Sequence, residues 1–173
     1  AYDRAGDQIR KNATLLSNAE AVEIEKEAKG DEAPITSDRT GFYNRKLYLK
    51  PGERVENRGN NQPLNHKLIR LGEVYLNYAE ACAKTGAEDE ARIYLKKIRD
   101  RVGLDEITST GEQLFEDIIN ERRLELGLEG FRFFDVVRVG WGPKIFKNFK
   151  AGAELLPIPQ TEVDISKGEI TNK

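Results

Sequence analysis

The chain has 173 residues, 38% hydrophobic and 34% charged, with 28 Lys and Arg against 30 Asp and Glu and a net charge of −2. That length suits one domain with a sizeable core rather than two, and the near balance of charge gives no electrostatic hold on nucleic acid or an anionic membrane. No apolar run approaches the ~18 residues of a membrane-spanning helix, and no charged-then-apolar signal segment stands at Ala1.

Residues 1–67 read as a loop-rich region with short strands. Val22 to Lys29, VEIEKEAK, fits a charged edge strand or a short helix, and periodicity does not decide. Arg39-Thr40-Gly41 is a turn signal. After it Tyr43, Arg45, Leu47 and Leu49 alternate with Asn44, Lys46 and Tyr48, the pattern of a strand, until Pro51-Gly52 breaks the run. Glu53 to Pro63 is polar apart from Val55 and reads as a mobile loop.

From Leu68 the period becomes helical. Leu68, Leu71, Tyr75, Tyr78, Ala79 and Cys82 fall on one face, and Gly86 supplies a stop. A second helix follows at once, with a stripe of Ala91, Tyr94, Leu95, Ile98 and Val102 and an end at Gly103. Its acidic first turn (Glu88, Asp89, Glu90) and basic end (Lys96, Lys97, Arg99, Arg101) have the order the helix dipole favours. The pair resembles one tetratricopeptide-like hairpin, which needs neighbours to bury its second face. Thr110 with Gln113 predicts a capping box for a third helix reaching Gly130, and Phe131 to Val139 fits a short fourth helix or a tight turn. Pro157-Ile158-Pro159 forbids helix and predicts an extended strap. The expected fold is mainly α: a tetratricopeptide-like hairpin plus further helices, with a few short strands in the N-terminal third. The expected organisation is one domain, 1–173, with a loop and short-strand region at 1–67, a helical core at 68–139 and an extended tail at 140–173.

Residues 121–139, ERRLELGLEGFRFFDVVRV, carry the most information. Glu121, Arg122, Glu125, Glu129, Arg132, Asp135 and Arg138 are interleaved with Phe131, Phe133, Phe134, Val136 and Val137, so burial of the apolar groups predicts a packed junction with a structural ion-pair network. Glu121 and Glu125 share a helix face, and paired carboxylates suggest a glycosidase. Two acids projecting in parallel beside Arg122 and Arg123 do not meet that need, since nearby positive charge keeps them ionised. No catalytic residue is therefore assigned.

No E-x-x-H pair accompanies the acids and the single histidine, His66, stands in a polar loop, so no metal is expected. A phosphate loop, a C-x-x-C pair and a G-x-S-x-G elbow are all missing, and no cofactor is expected. Cys82, on an apolar stripe, reads as a buried inert thiol. Tyr43, Tyr48 and Trp141 are the aromatics offered as ligand-binding candidates, each with a structural role as the competing reading. The back of the third helix, Leu124 and Leu128, is expected to lack cover.

Four stretches together resemble the C-terminal portion of SusD/RagB-type nutrient-binding lipoproteins. They are FYNRK at 42–46, LIRLGEVYLNYAEACA at 68–83, the ERRLELGLEGFRFFDVVR signature at 121–138, and LLPIPQ at 155–160 followed by Glu162. The only tryptophan, Trp141, is displaced from the place after Arg138 where the family usually has one, and the usual ending gives way to GEITNK. The resemblance implies non-catalytic binding of glycans or other nutrients at the cell outer membrane surface, beside a SusC-like TonB-dependent transporter. It also implies that most ligand-facing loops and a lipid anchor belong to a larger N-terminal portion absent from this chain. The rival readings are a helical-hairpin protein–protein interaction module and, less favoured, a glycosidase.

Overall fold

The computed structural model describes residues 1–30, 38–56, 62–150, 152–153, 155 and 157–171. The chain divides into two compact units, Ala1–Phe131 and Arg132–Lys173, so its division falls inside the 68–139 segment read from the sequence as one helical core.

The first unit is helical from its start. α1 (Tyr2–Ala5) and α2 (Gln8–Thr14) lead into β1 (Leu15–Ser17) and α3 (Asn18–Lys29), which corrects the expectation of loops and short strands across 1–67. Local capping explains the difference. Asp7 accepts a hydrogen bond from the Arg10 backbone N–H at the start of α2, and Ser17 with Glu20 forms a reciprocal capping box on α3. Val22 to Lys29 is thus the body of a helix. Its period is obscured because the buried face carries Glu25 beside Ala21.

The strand expected over Tyr43–Leu49 is only β2 (Phe42–Asn44). The Asn44 side chain accepts from the Lys46 N–H, turning the chain into a single 3-10 turn at Arg45–Leu47. β1 and β2 pair antiparallel, with Leu16 opposite Tyr43. Of the polar loop at 53–63, residues 57–61 lie outside the described ones.

α4 (Leu71–Lys84), α5 (Glu88–Asp100) and α6 (Gly111–Glu125) form the core. α5 buries Ala91, Leu95 and Ile98, and Val102 is buried in the turn after it, the stripe the sequence predicts except for the half-buried Tyr94. In α4 the stripe is rotated. Leu76, Ala79 and Cys82 are buried, whereas Leu68 is 78%, Leu71 62% and Tyr78 45% exposed. α4 begins at Leu71 because Arg70 is extended, its guanidinium held by carboxylates at the end of α6, so Leu68 never joins the helix.

Thr110 stands at the start of α6 but its side chain makes no cap bond; the Gly111 N–H donates instead to Glu88 Oε1 at 2.9 Å. α6 ends at Glu125, before Gly130, and the chain leaves through Leu128 at φ 62. The face expected to lack cover is half right: Leu124 is buried and Leu128 is 51% exposed.

The second unit holds α7 (Arg132–Arg138), α8 (Gly142–Ile145) and α9 (Gln160–Ile165), so residues 140–173 are not simply an extended tail. Pro143 sits in the first turn of α8 and Pro159 precedes α9; proline at helix entry costs no hydrogen bond. Pro157–Pro159 is non-helical, as two prolines require, while Leu156 lies outside the described residues. Val136 is buried, but Phe133 is 41% and Phe134 65% exposed, against the expectation that all five apolar groups are buried. Phe133 meets Phe146 at 5.8 Å between ring centres and Phe146 stacks on Phe149 at 6.1 Å.

Candidate functional site: a charged cluster and the cavity beside it

The C-terminal turn of α6 carries Glu121 and Glu125 side by side, both buried. Burying carboxylates costs several kcal/mol each unless they are paired and hydrogen-bonded, and this sequence supplies the partners from three other segments. Arg10 of α2 bonds Asp7 through Nε, faces Glu121 Oε1 at 2.6 Å through Nη2, and reaches Glu125 Oε2 at 3.2 Å through Nη1. Arg99 closes on Glu121 Oε2 and Arg101 on Glu125 Oε2, each at 2.6 Å.

Glu129 extends the cluster past the helix end. Arg70 donates to Glu125 Oε1 at 2.5 Å and to both oxygens of Glu129 at 2.8 Å. Lys46 pairs with Glu129 and caps α6 by donating to the Glu125 and Gly127 carbonyls at 3.1 and 3.0 Å, oxygens a helix end leaves without partners.

Gly72 makes the approach of Arg70 feasible. A Cβ there would stand 2.6 Å from Arg70 Nη1 and 2.7 Å from Glu125 Oε1. Burial pushes the Glu125 carboxyl upward, but the hydrogen bond and charge of Arg70, with Arg101 and Arg10, outweigh it and hold it below the ordinary carboxylate range. Glu129 is held low in the same way, burial opposed by Arg70 and Lys46. Such acids stay ionised and have no proton to give as a general acid.

Of the seven residues expected to form one network, Glu121, Glu125 and Glu129 are brought together, through cations outside that set. Arg122 donates to Asn77 Oδ1 at 2.5 Å. Asp135 pairs with Arg138 at 2.8 Å inside α7, and Arg132 is the first residue of that helix. The sequence reading missed Arg10, Arg99 and Arg101 as partners. The i,i+3 spacing of Asp7 and Arg10 was a readable signal for one of them. Lys46 and Arg70 lie in two of the stretches that carry the family resemblance, and both meet the third here.

Beside the cluster lies a cavity of about 730 Å³, lined by Arg10, Lys46, Arg70, Arg101, Glu125 and Glu129 together with Leu47, Leu64, His66, Lys67 and Leu128. His66, set aside in the sequence as an isolated loop residue, is on its wall. The aromatic candidates are elsewhere. Tyr43 is half-buried in β2. The Tyr48 hydroxyl donates to Glu25 Oε1 at 2.9 Å and Arg54 lies over its ring, a structural tie. Trp141 is half-buried in the second unit with Lys144 at 5.2 Å from its ring centre. A further aromatic group lies on the hairpin, where Tyr94 touches Tyr75 and Tyr78 at 5.3 and 4.5 Å and Lys97 covers Tyr94.

A helical hairpin locked to a third helix by an arginine–carboxylate cluster, with the stretches FYNRK, LIRLGEVYL and ERRLELGLEG meeting at it, defines the class of protein. The chain belongs to the SusD family, which it matches over residues 7–172. A SusD-like protein of Bacteroides ovatus is 30% identical over 145 residues, covering 76% of this chain and 24% of that protein. SusD-like protein P2 of Formosa agariphila is 32% identical over 126 residues, covering 62% of this chain and 25% of that protein.

Among solved structures, surface glycan-binding protein A from Bacteroides thetaiotaomicron, in complex with laminarihexaose, superposes with a TM-score of 0.78 at 27% identity. That match covers 98% of this chain and 39% of the other. The corresponding protein A from Bacteroides uniformis shares the fold, with a TM-score of 0.67 at 24% identity. The chain spans about a quarter of the length of the curated relatives it matches.

Proposed function

We propose that this chain serves non-catalytic capture of glycans at the outer surface of the outer membrane, beside a SusC-like TonB-dependent transporter that receives the bound sugar. The mechanism is reversible binding and hand-over, with no bond made or broken. One observation carries the reading: nearly the whole chain superposes on a protein solved with laminarihexaose. The state of the acids supports its non-catalytic part, since Glu121 and Glu125 are closed on by arginines and Glu125 is held ionised. Tyr43 and Trp141 are the aromatic candidates for sugar contact; Tyr48 is committed to Glu25.

Calorimetric titration with laminarihexaose and a panel of neutral oligosaccharides tests this, alongside an assay for released reducing ends. Saturable binding without hydrolysis is the expected result. Turnover lost in Glu121→Gln or Glu125→Gln would replace the binding reading with a glycosidase. Co-purification with a SusC-like TonB-dependent transporter from the same cells tests the partnership.

A second reading has its own support. Leu71, Val74, Tyr78 and Ile93 leave an apolar face exposed on α4 and α5, as in a hairpin that docks other protein. Absence of sugar binding together with capture of a helical partner would favour it.

A further inference from the structure

We propose that the cavity beside the end of α6 is a subsite for a carboxylate-bearing sugar, so that the glycans taken include uronic acid oligosaccharides. The inference rests on the glycan-binding reading and adds the charge class of the ligand. It comes from how the charges in the wall are used. Glu125 and Glu129 have both oxygens engaged: Glu125 by Arg70, Arg10 and Arg101, Glu129 by Arg70 and Lys46. Arg70 Nη1, Nη2 and Nε and the Lys46 ammonium are committed to these contacts. The floor is therefore a closed neutralising lattice.

Positive charge remains at the mouth. The cluster and cavity wall hold six cations (Arg10, Lys46, Lys67, Arg70, Arg99 and Arg101) against four carboxylates (Asp7, Glu121, Glu125 and Glu129), a surplus of two. Arg101 is 59% exposed with one nitrogen on Glu125, and Lys67 is exposed on the wall with no counter-ion among the described residues. A cavity with surplus fixed cations attracts an anion. Leu47, Leu64 and Leu128 supply apolar wall against which the C–H face of a pyranose can lie, and His66 adds a hydrogen-bonding rim. The volume falls within the ~300–1,000 Å³ usual for small-ligand sites. Inorganic sulfate or phosphate could use the cations but has no use for the leucines; a uronate uses both.

The test is calorimetric titration of the 173-residue chain with four probes: a uronic acid oligosaccharide, its carboxyl-reduced neutral counterpart, sodium sulfate, and laminarihexaose. The uronate should bind about tenfold or more tighter than the reduced form, as one charge-assisted contact allows, and should weaken as salt rises. Lys67→Gln, and more strongly Lys67→Glu, should erase most of that preference; circular dichroism checks that both variants fold. Equal affinity for the uronate and its reduced form would overturn the inference, as would sulfate binding as tightly as the uronate. Laminarihexaose binding in either case would leave the glycan reading standing; no binding of any saccharide would remove both.

Discussion

Arg10 touches Asp7, Glu121 and Glu125 while almost fully buried itself, so its removal strands the buried Asp7 and takes one counter-charge from each of Glu121 and Glu125, which keep Arg99 and Arg70 with Arg101. Arg10→Ala should therefore lower stability by ~3–5 kcal/mol, the range for breaking a buried pair. Lys96→Ala, which opens an exposed i,i+4 pair with Asp100, should cost ~0–1 kcal/mol. Denaturant unfolding of the two variants checks the contrast, and a small effect at Arg10 would mean that water reaches the cluster.

Acid should find the same site. Glu125 and Glu129 both titrate below their ordinary 4.5 in the folded chain. A carboxyl with a depressed folded pKa contributes stability that is whole above its unfolded value and lost as pH falls through its folded value. The thermal midpoint should thus hold steady down to about pH 5 and drop below it, less steeply in Arg70→Gln. Calorimetric scans between neutral and acid pH measure this; a midpoint that rises on acidification would contradict it.

α4 has a glycine in its first turn where helix propensity alone favours alanine by ~1 kcal/mol. The reason is the close passage of Arg70 and Glu125, which a Cβ at Gly72 would meet. Gly72→Ala should accordingly destabilise the protein, by ~1–3 kcal/mol as for overpacking at a tight contact, instead of giving the usual gain. Unfolding midpoints in wild type, Gly72→Ala, Arg70→Ala and the double variant decide this, because removing Arg70 takes away the closer of the two contacts and should make the added cost of Gly72→Ala smaller. α6 makes the complementary case: its end is set by Lys46 and Arg70 on its last carbonyls, contacts that no periodicity announces.

In the chain as a whole, the first unit leaves Leu68, Ile69, Leu71, Val74, Tyr78 and Ile93 open, the first two more than 70% exposed. A monomer normally shows no contiguous apolar patch beyond ~300–600 Å². The 173-residue chain should bind a dye for exposed apolar surface or self-associate with rising concentration, and light scattering with dye fluorescence reads both. A monomer that binds no dye would mean these side chains are scattered rather than one face. These exposed side chains lie on α4, α5 and the segment before α4, whereas Leu124, expected to lack cover on the back of α6, is buried and Leu128, past the end of α6, is half exposed.

The sequence by itself determined that the chain turns helical near residue 68, three residues before α4 begins, the α5 stripe, a helix or turn after Gly130 and the four stretches that resemble the family. These are local or word-like signals, carried by spacing within one element. It also marked Glu121, Glu125 and Glu129 as members of an ion cluster, because charge beside so much apolar surface has to be paired. It did not reveal the N-terminal helices: α1 and α2 span four and seven residues, too few to show a period, and the buried face of α3 carries Glu25. Nor did it reveal the cluster's cations. Arg10 and Glu125 are 115 residues apart and Arg70 and Glu125 are 55 apart. Which basic side chain meets which acid is decided by the packing of α2, α4 and α5 around α6, since an ion pair has no period and is specified only where the chain folds back on itself. The cavity, with His66 and Lys67 on its wall, exists for the same reason.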